Sequence, residues 1–131
     1  MNTRLLRLLL IEDDPIDRRL FEELLREIGT VNYELVGAER VAIGVQQLKE
    51  RPFDLLLTDL SLPDAYGRDT VQQLREASPG IPIVVLTGSE YPDLDTSFTG
   101  LNVAHYVPKH ELNPQTLTTI LRKLVPDFSA E

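Results

Sequence analysis

The chain of 131 residues has no cysteine and no tryptophan, a single methionine and only two histidines. Without thiols there is no disulfide and no thiolate metal site, and a reducing compartment suits the composition. His105 and His110 have no matched spacing, make a poor metal pair and read as surface residues. Basic charge is scarce: 13 Lys and Arg stand against 21 Asp and Glu, a net charge of −8. That argues against direct nucleic-acid binding and against an anionic membrane surface, both of which need basic residues. Long apolar runs are missing too, so no segment reaches the roughly 20 residues of a membrane span. The opening residues 1–11, MNTRLLRLLLI, are broken by Arg7 and lead into acids instead of the small-residue cleavage site of a signal peptide. The expectation is a cytoplasmic protein. What remains, 42% hydrophobic and 26% charged, is an ordinary globular balance. It predicts one domain over residues 1–131, with a frayed tail at about 126–131.

The most informative stretch is residues 53–64, FDLLLTDLSLPD, an apolar run that ends on Asp59 and breaks at Pro63. Apolar residues without alternation suit a strand buried on both faces, as in parallel sheets covered by helices. Residues 7–11 read as a first such strand, residues 33–37 as a second, 81–87 as a fourth and 103–107 as a fifth. Between them lie helical patterns. Asp14-Pro15 is a cap followed by a first-turn proline, and Ile16, Leu20, Leu24 and Ile28 recur on one face up to Gly29. A second helix over residues 42–48 is weakened by Gly44 and β-branched residues. Residues 61–68 read as a loop and 69–77 as a third helix. Asn113-Pro114 opens a last helix with Leu117, Ile120, Leu121 and Leu124 inward. Alternating strands and helices predict an α/β fold: a doubly wound parallel sheet with helices on both faces.

In such a sheet all strand carboxyl ends share one edge, where ligands bind. Glu12 and Asp13 follow the first strand, Asp59 ends the third, Thr87 ends the fourth, and Lys109 lies just past the fifth. Three carboxylates together call for a hard divalent cation, and Mg²⁺ fits best. A cation, an ammonium and a hydroxyl are the groups that stabilise charge spreading over phosphoryl oxygens. One carboxylate is then the nucleophile that forms an acyl phosphate, and Asp59 is the candidate, with Glu12 and Asp13 better placed as metal ligands.

Four motifs in order, Leu9-Leu10-Ile11-Glu12-Asp13-Asp14-Pro15, Asp59-Leu60-Ser61-Leu62-Pro63 with Gly67, Val85-Leu86-Thr87-Gly88 and Tyr106-Val107-Pro108-Lys109, resemble the receiver domain of bacterial two-component response regulators. The resemblance covers nearly the whole chain. It implies a flavodoxin-like fold with five parallel strands in order 2-1-3-4-5, and a signalling switch that catalyses only its own phosphorylation and dephosphorylation. By the resemblance, Asp59 accepts a phosphoryl group from a histidine kinase or phosphotransfer protein. Asp13 binds Mg²⁺ directly, Glu12 largely through water, and Ser61 lends its backbone carbonyl. Thr87 and Tyr106 are the switch residues, Lys109 pairs with the phosphoryl group, and Ser61 and Ser89 sit where dephosphorylation is tuned. Output runs to a homodimer or a downstream protein through the fourth helix, fifth strand and fifth helix.

Two departures stand out. His110 follows the lysine where many members have proline, and Pro108 precedes it. Residues 89–102 are rich in helix breakers and threonine, which predicts a short or irregular fourth helix, with Phe98 and Leu101 tucked beneath the loop. Three other readings compete with this one. A pseudo-receiver that binds partners without phosphorylation is disfavoured by the complete acidic, hydroxyl and lysine set. An aspartyl-phosphate hydrolase typically has a second acid where this chain has Ser61. An FMN carrier lacks its phosphate loop after the first strand.

Overall fold

The computed structural model describes residues 5–29, 32–88 and 98–125. Strands β1 (Leu6–Ile11), β2 (Tyr33–Ala38), β3 (Leu55–Asp59), β6 (Ile83–Thr87) and β7 (His105–Pro108) form one sheet in the order β2-β1-β3-β6-β7, every pair parallel. This is the expected order. Helices α1 (Pro15–Ile28), α2 (Val41–Glu50), α3 (Arg68–Ala77) and α4 (Pro114–Leu124) cover it. Successive side chains of a strand point to opposite faces, so the unbroken apolar runs supply two cores at once. Leu8, Leu10, Leu55 and Leu57 pack with Phe21 and Leu25 of α1 and Leu117 and Leu121 of α4. Leu9, Ile11, Leu56 and Ile83 pack on the other face with Val41 of α2 and Val71 and Leu74 of α3.

Residues 61–68, expected as a loop, instead hold a small antiparallel hairpin, β4 (Ser61–Leu62) and β5 (Ala65–Tyr66), before α3 begins at Arg68. The inward face of α1 also differs from expectation. Ile16 and Leu20 are exposed, and Phe21 and Leu25 carry the buried face, with Leu24 and Ile28 at its flank. A strict four-residue spacing drifts around a helix of 3.6 residues per turn, so such a stripe cannot stay on one face for the whole helix.

Local chemistry fixes the helix starts. Asp14 Oδ1 accepts from the Ile16 amide at 2.9 Å ahead of Pro15, and Asn113 and Thr116 exchange two hydrogen bonds of 2.9 Å as a capping box. Helix α2 has no side-chain cap of its own. Its first amides, Val41 and Ala42, donate to the two oxygens of Asp64, at 2.9 and 3.0 Å, across from the hairpin. Those bonds outweigh the cost of burial and hold the Asp64 carboxyl below its usual range.

The fourth-helix expectation falls mainly on residues 89–97, outside the described residues, as do Ser89 and the tail at 126–131; residues 98–100 form a turn. Phe98 and Leu101 are buried, as expected. Two arginines of α3 hold this turn down: Arg68 donates to Thr99 O at 2.9 Å, and Arg75 to Leu101 O and Asn102 O, each at 3.0 Å. The Arg75 fork reaches Ile81 O as well, at 2.7 Å, so one side chain gathers the approaches to β6 and β7.

Candidate acidic site at the carboxyl edge of the sheet

The register of the sheet brings distant residues level. Ile11 pairs with Thr58 and Asp59 with Leu86, so Glu12 and Asp59 leave adjacent strands at one height and Thr87 follows one residue further along the next strand. Thr87 pairs with Pro108, which puts Lys109 next in line, at the start of a 3₁₀ turn (Lys109–Glu111). Of the residues expected here, Glu12, Asp13, Asp59 and Lys109 come together. Oxygens of Glu12, Asp13 and Asp59 all lie within 4.8 Å of one another. Lys109 Nζ is 2.8 Å from Glu12 Oε1 and 3.0 Å from Asp59 Oδ2. Thr87 is buried at the strand end. Ser61 follows in the hairpin, its amide 3.4 Å from Asp59 Oδ1. Tyr106 is half-buried on β7, its ring centroid 5.9 Å from that of Phe98.

One member of the cluster escaped the sequence reading. Asp17, in the first turn of α1, places Oδ2 3.0 Å from Lys109 Nζ. An acid in a first turn reads by default as a partner for the helix dipole, so nothing in the sequence singled it out. With Asp17 counted, each of the three ammonium hydrogens has a carboxylate acceptor.

Backbone donors hold the carboxylates in place. Asp59 Oδ1 accepts from the Leu60 amide at 2.7 Å, which leaves Oδ2 to the lysine. Glu12 Oε2 accepts from the Asp14 amide at 3.3 Å. Glu12 is only 2% exposed. Burial, with the nearby charge of Asp59, raises its pKa to about 7 against the opposing pull of Lys109 and the Asp14 amide. For Lys109, burial works against the charged form, but the hydrogen bonds to Glu12, Asp59 and Asp17 outweigh it and hold the ammonium well above its usual range. Four acids around one lysine leave an excess of negative charge in a partly desolvated place. The group of Glu12, Asp13 and Asp59, two of whose members also hold Lys109, has the donor chemistry of a hard divalent metal site.

A doubly wound parallel sheet with carboxylates and a lysine converging on its carboxyl edge defines a class of α/β switch and ligand-binding domains. The particular family follows from comparison: residues 8–122 match the response regulator receiver domain, and the chain belongs to that family. It is 34% identical over 98 residues to the response regulator protein PilR of Pseudomonas aeruginosa, covering 75% of this chain and 21% of PilR. It is 39% identical over 92 residues to the cell cycle transcriptional regulator CtrA of Caulobacter vibrioides, covering 70% of this chain and 37% of CtrA. The chain therefore spans well under half the length of either relative. Among solved structures, the receiver domain of the sensor histidine kinase PA1611 from Pseudomonas aeruginosa, which carries a magnesium ion in its active-site cleft, aligns with a TM-score of 0.78 at 22% identity over 93% of this chain and 98% of that one. The phosphorylated cyanobacterial phytochrome response regulator RcpA aligns with a TM-score of 0.78 at 25% identity over 96% and 98%. Among the described residues no helix is long and apolar enough to cross a membrane.

Proposed function

We propose that Asp59 is the phosphoacceptor of a two-component signalling switch, in a chain that catalyses only its own phosphorylation and dephosphorylation. The observation that carries this is the Lys109 ammonium 3.0 Å from Asp59 Oδ2, beside the group of Glu12, Asp13 and Asp59 oxygens within 4.8 Å of one another. An Asp59 oxygen bonds to the donor phosphorus as the bond from phosphorus to the donor's leaving atom breaks, that atom keeping the electron pair. Lys109 follows the transferred group and binds its oxygens as negative charge spreads over them. Thr87, buried at the end of β6, supplies a hydroxyl to the same oxygens. Glu12, Asp13 and Asp59, with the Ser61 carbonyl, would hold Mg²⁺, which when bound neutralises charge on the phosphoryl oxygens.

The donor partner is a histidine kinase or phosphotransfer protein, and the setting is cytoplasmic. Phosphorylation then biases a pre-existing equilibrium in which Thr87 and Tyr106 move together. The readout is a homodimer or a downstream protein on the surface that includes β7 and α4. Intact-mass spectrometry after incubation with Mg²⁺ and acetyl phosphate tests the reading. The wild type is expected to gain one phosphoryl group and Asp59→Asn none; equal labelling of both would refute it.

A further inference from the structure

We infer that Asp17 is a positioning residue that competes with the incoming phosphoryl group for Lys109, and so restrains phosphorylation of Asp59. This rests on the reading of Asp59 as phosphoacceptor. An ammonium has three hydrogens, and here Glu12, Asp17 and Asp59 take one each, at 2.8, 3.0 and 3.0 Å. Lys109 therefore has no donor to spare, and it can bind a phosphoryl oxygen only by releasing a carboxylate. The three differ in what release costs. The Glu12 side chain is 3% exposed and that of Asp59 15%, and both are also tied to backbone amides, of Asp14 and of Leu60. The Asp17 side chain is 35% exposed. A carboxylate that water can reach recovers its lost hydrogen bond, whereas a buried one cannot. Until the bond to phosphorus forms, Asp59 keeps its charge and its hold on Lys109, so when the donor arrives Asp17 is the one that yields.

Helix-dipole duty alone does not account for this placement. A first-turn acid serving only the dipole has no need to meet a lysine 92 positions away, as Asp17 does. The contact also makes α1 part of the site. The helix carries at its start the carboxylate that Lys109 must leave, so the grip on the lysine is set by an element outside the sheet.

In the transfer, an Asp59 oxygen forms its bond to the phosphorus of acetyl phosphate while the phosphorus–oxygen bond to the acetyl group breaks. Acetate leaves with the bonding pair, and no proton moves. In the reverse discharge, water adds to phosphorus, the Asp59 carboxylate leaves, and both hydrogens of the water end on phosphate. Asp17 takes no part in either bond change. It sets only how readily Lys109 turns to the transferred group.

The test compares initial rates of acetyl-phosphate labelling for wild type, Asp17→Asn and Asp17→Ala, each at Mg²⁺ titrated to saturation for that variant. Both variants are expected to be labelled about fivefold faster, the scale of one partly exposed ion pair. A variant that merely loosened α1 would slow the reaction, so the direction itself separates competition from structural damage. Salt separates competition from general repulsion. At about 1 M salt the screening length is about 3 Å, and long-range repulsion between Asp17 and an anionic donor is largely removed. The gain is expected to persist there. Equal or slower labelling of the variants, or a gain that disappears at high salt, overturns the inference while leaving Asp59 as phosphoacceptor. No labelling of the wild type removes that reading, and the inference falls with it.

Discussion

Glu12 is a buried acid whose ionisation folding opposes. Its pKa rises from 4.5 to about 7, with burial the leading cause. Between those values the folded chain binds more protons at Glu12 than the unfolded chain does. Its contribution to stability therefore falls as pH rises from about 4.5 to 7, and below that window no penalty exists. Glu12→Gln keeps an oxygen for Lys109 and removes the titration. Without divalent cations, the variant should gain stability relative to wild type across this window, by roughly 1–3 kcal/mol. Chemical denaturation of both proteins at pH 4.5 and pH 7.5 measures it; a pH-independent difference would contradict the assignment. Glu12 as a site residue was legible in the sequence because it follows a buried strand. That it would be almost wholly buried was not, since burial depends on α1 and the lysine turn closing over it.

At the scale of elements, two contacts of α2 explain features that looked weak in the sequence. Gly44 counts against the helix on propensity, yet here α2 lies directly against Ile11 of β1. A Cβ there would collide with Cδ1 of Ile11, a residue with no exposed surface. Gly44→Ala would gain up to ~1 kcal/mol of helix propensity but lose more to overpacking, a net destabilisation of ~1–2 kcal/mol by urea denaturation. The second contact is the loan of a cap. Asp64 serves the amides of Val41 and Ala42, which α2 itself leaves unserved. Asp64→Ala should cost about 1 kcal/mol, with amide exchange speeding first at the start of α2. Caps at α1 and α4 could be read in advance because donor and acceptor lie two or three residues apart. The Asp64 cap spans 22 or more positions, and the Arg75 fork joins α3 to residues 101 and 102. Sequence spacing carries no trace of either.

For the whole molecule, the excess of acids at the sheet edge makes cation binding and stability one question. A ligand that binds only the folded state stabilises it, by about 2.7 kcal/mol at a hundredfold excess over its Kd. Mg²⁺ should raise the Tm of the wild type and have much less effect on Asp13→Asn, as differential scanning calorimetry would show. A similar rise in both would remove Asp13 from the metal site. The exposed Asp13 makes a clean probe, because its replacement leaves the core intact.

The sequence alone determined the alternation of strands and helices, the doubly wound class and four of the residues gathered at the edge. Each of these follows from local pattern: continuous apolar runs need cover on two faces, and parallel strands must end together. The tertiary structure decided what local pattern cannot express. It brought Asp17 to Lys109, lent Asp64 to α2, and turned α1 so that Phe21 and Leu25 face inward in place of Ile16 and Leu20. Those outcomes depend on how elements sit against one another in space, and polar groups 22 to 92 positions apart meet only once the elements have packed.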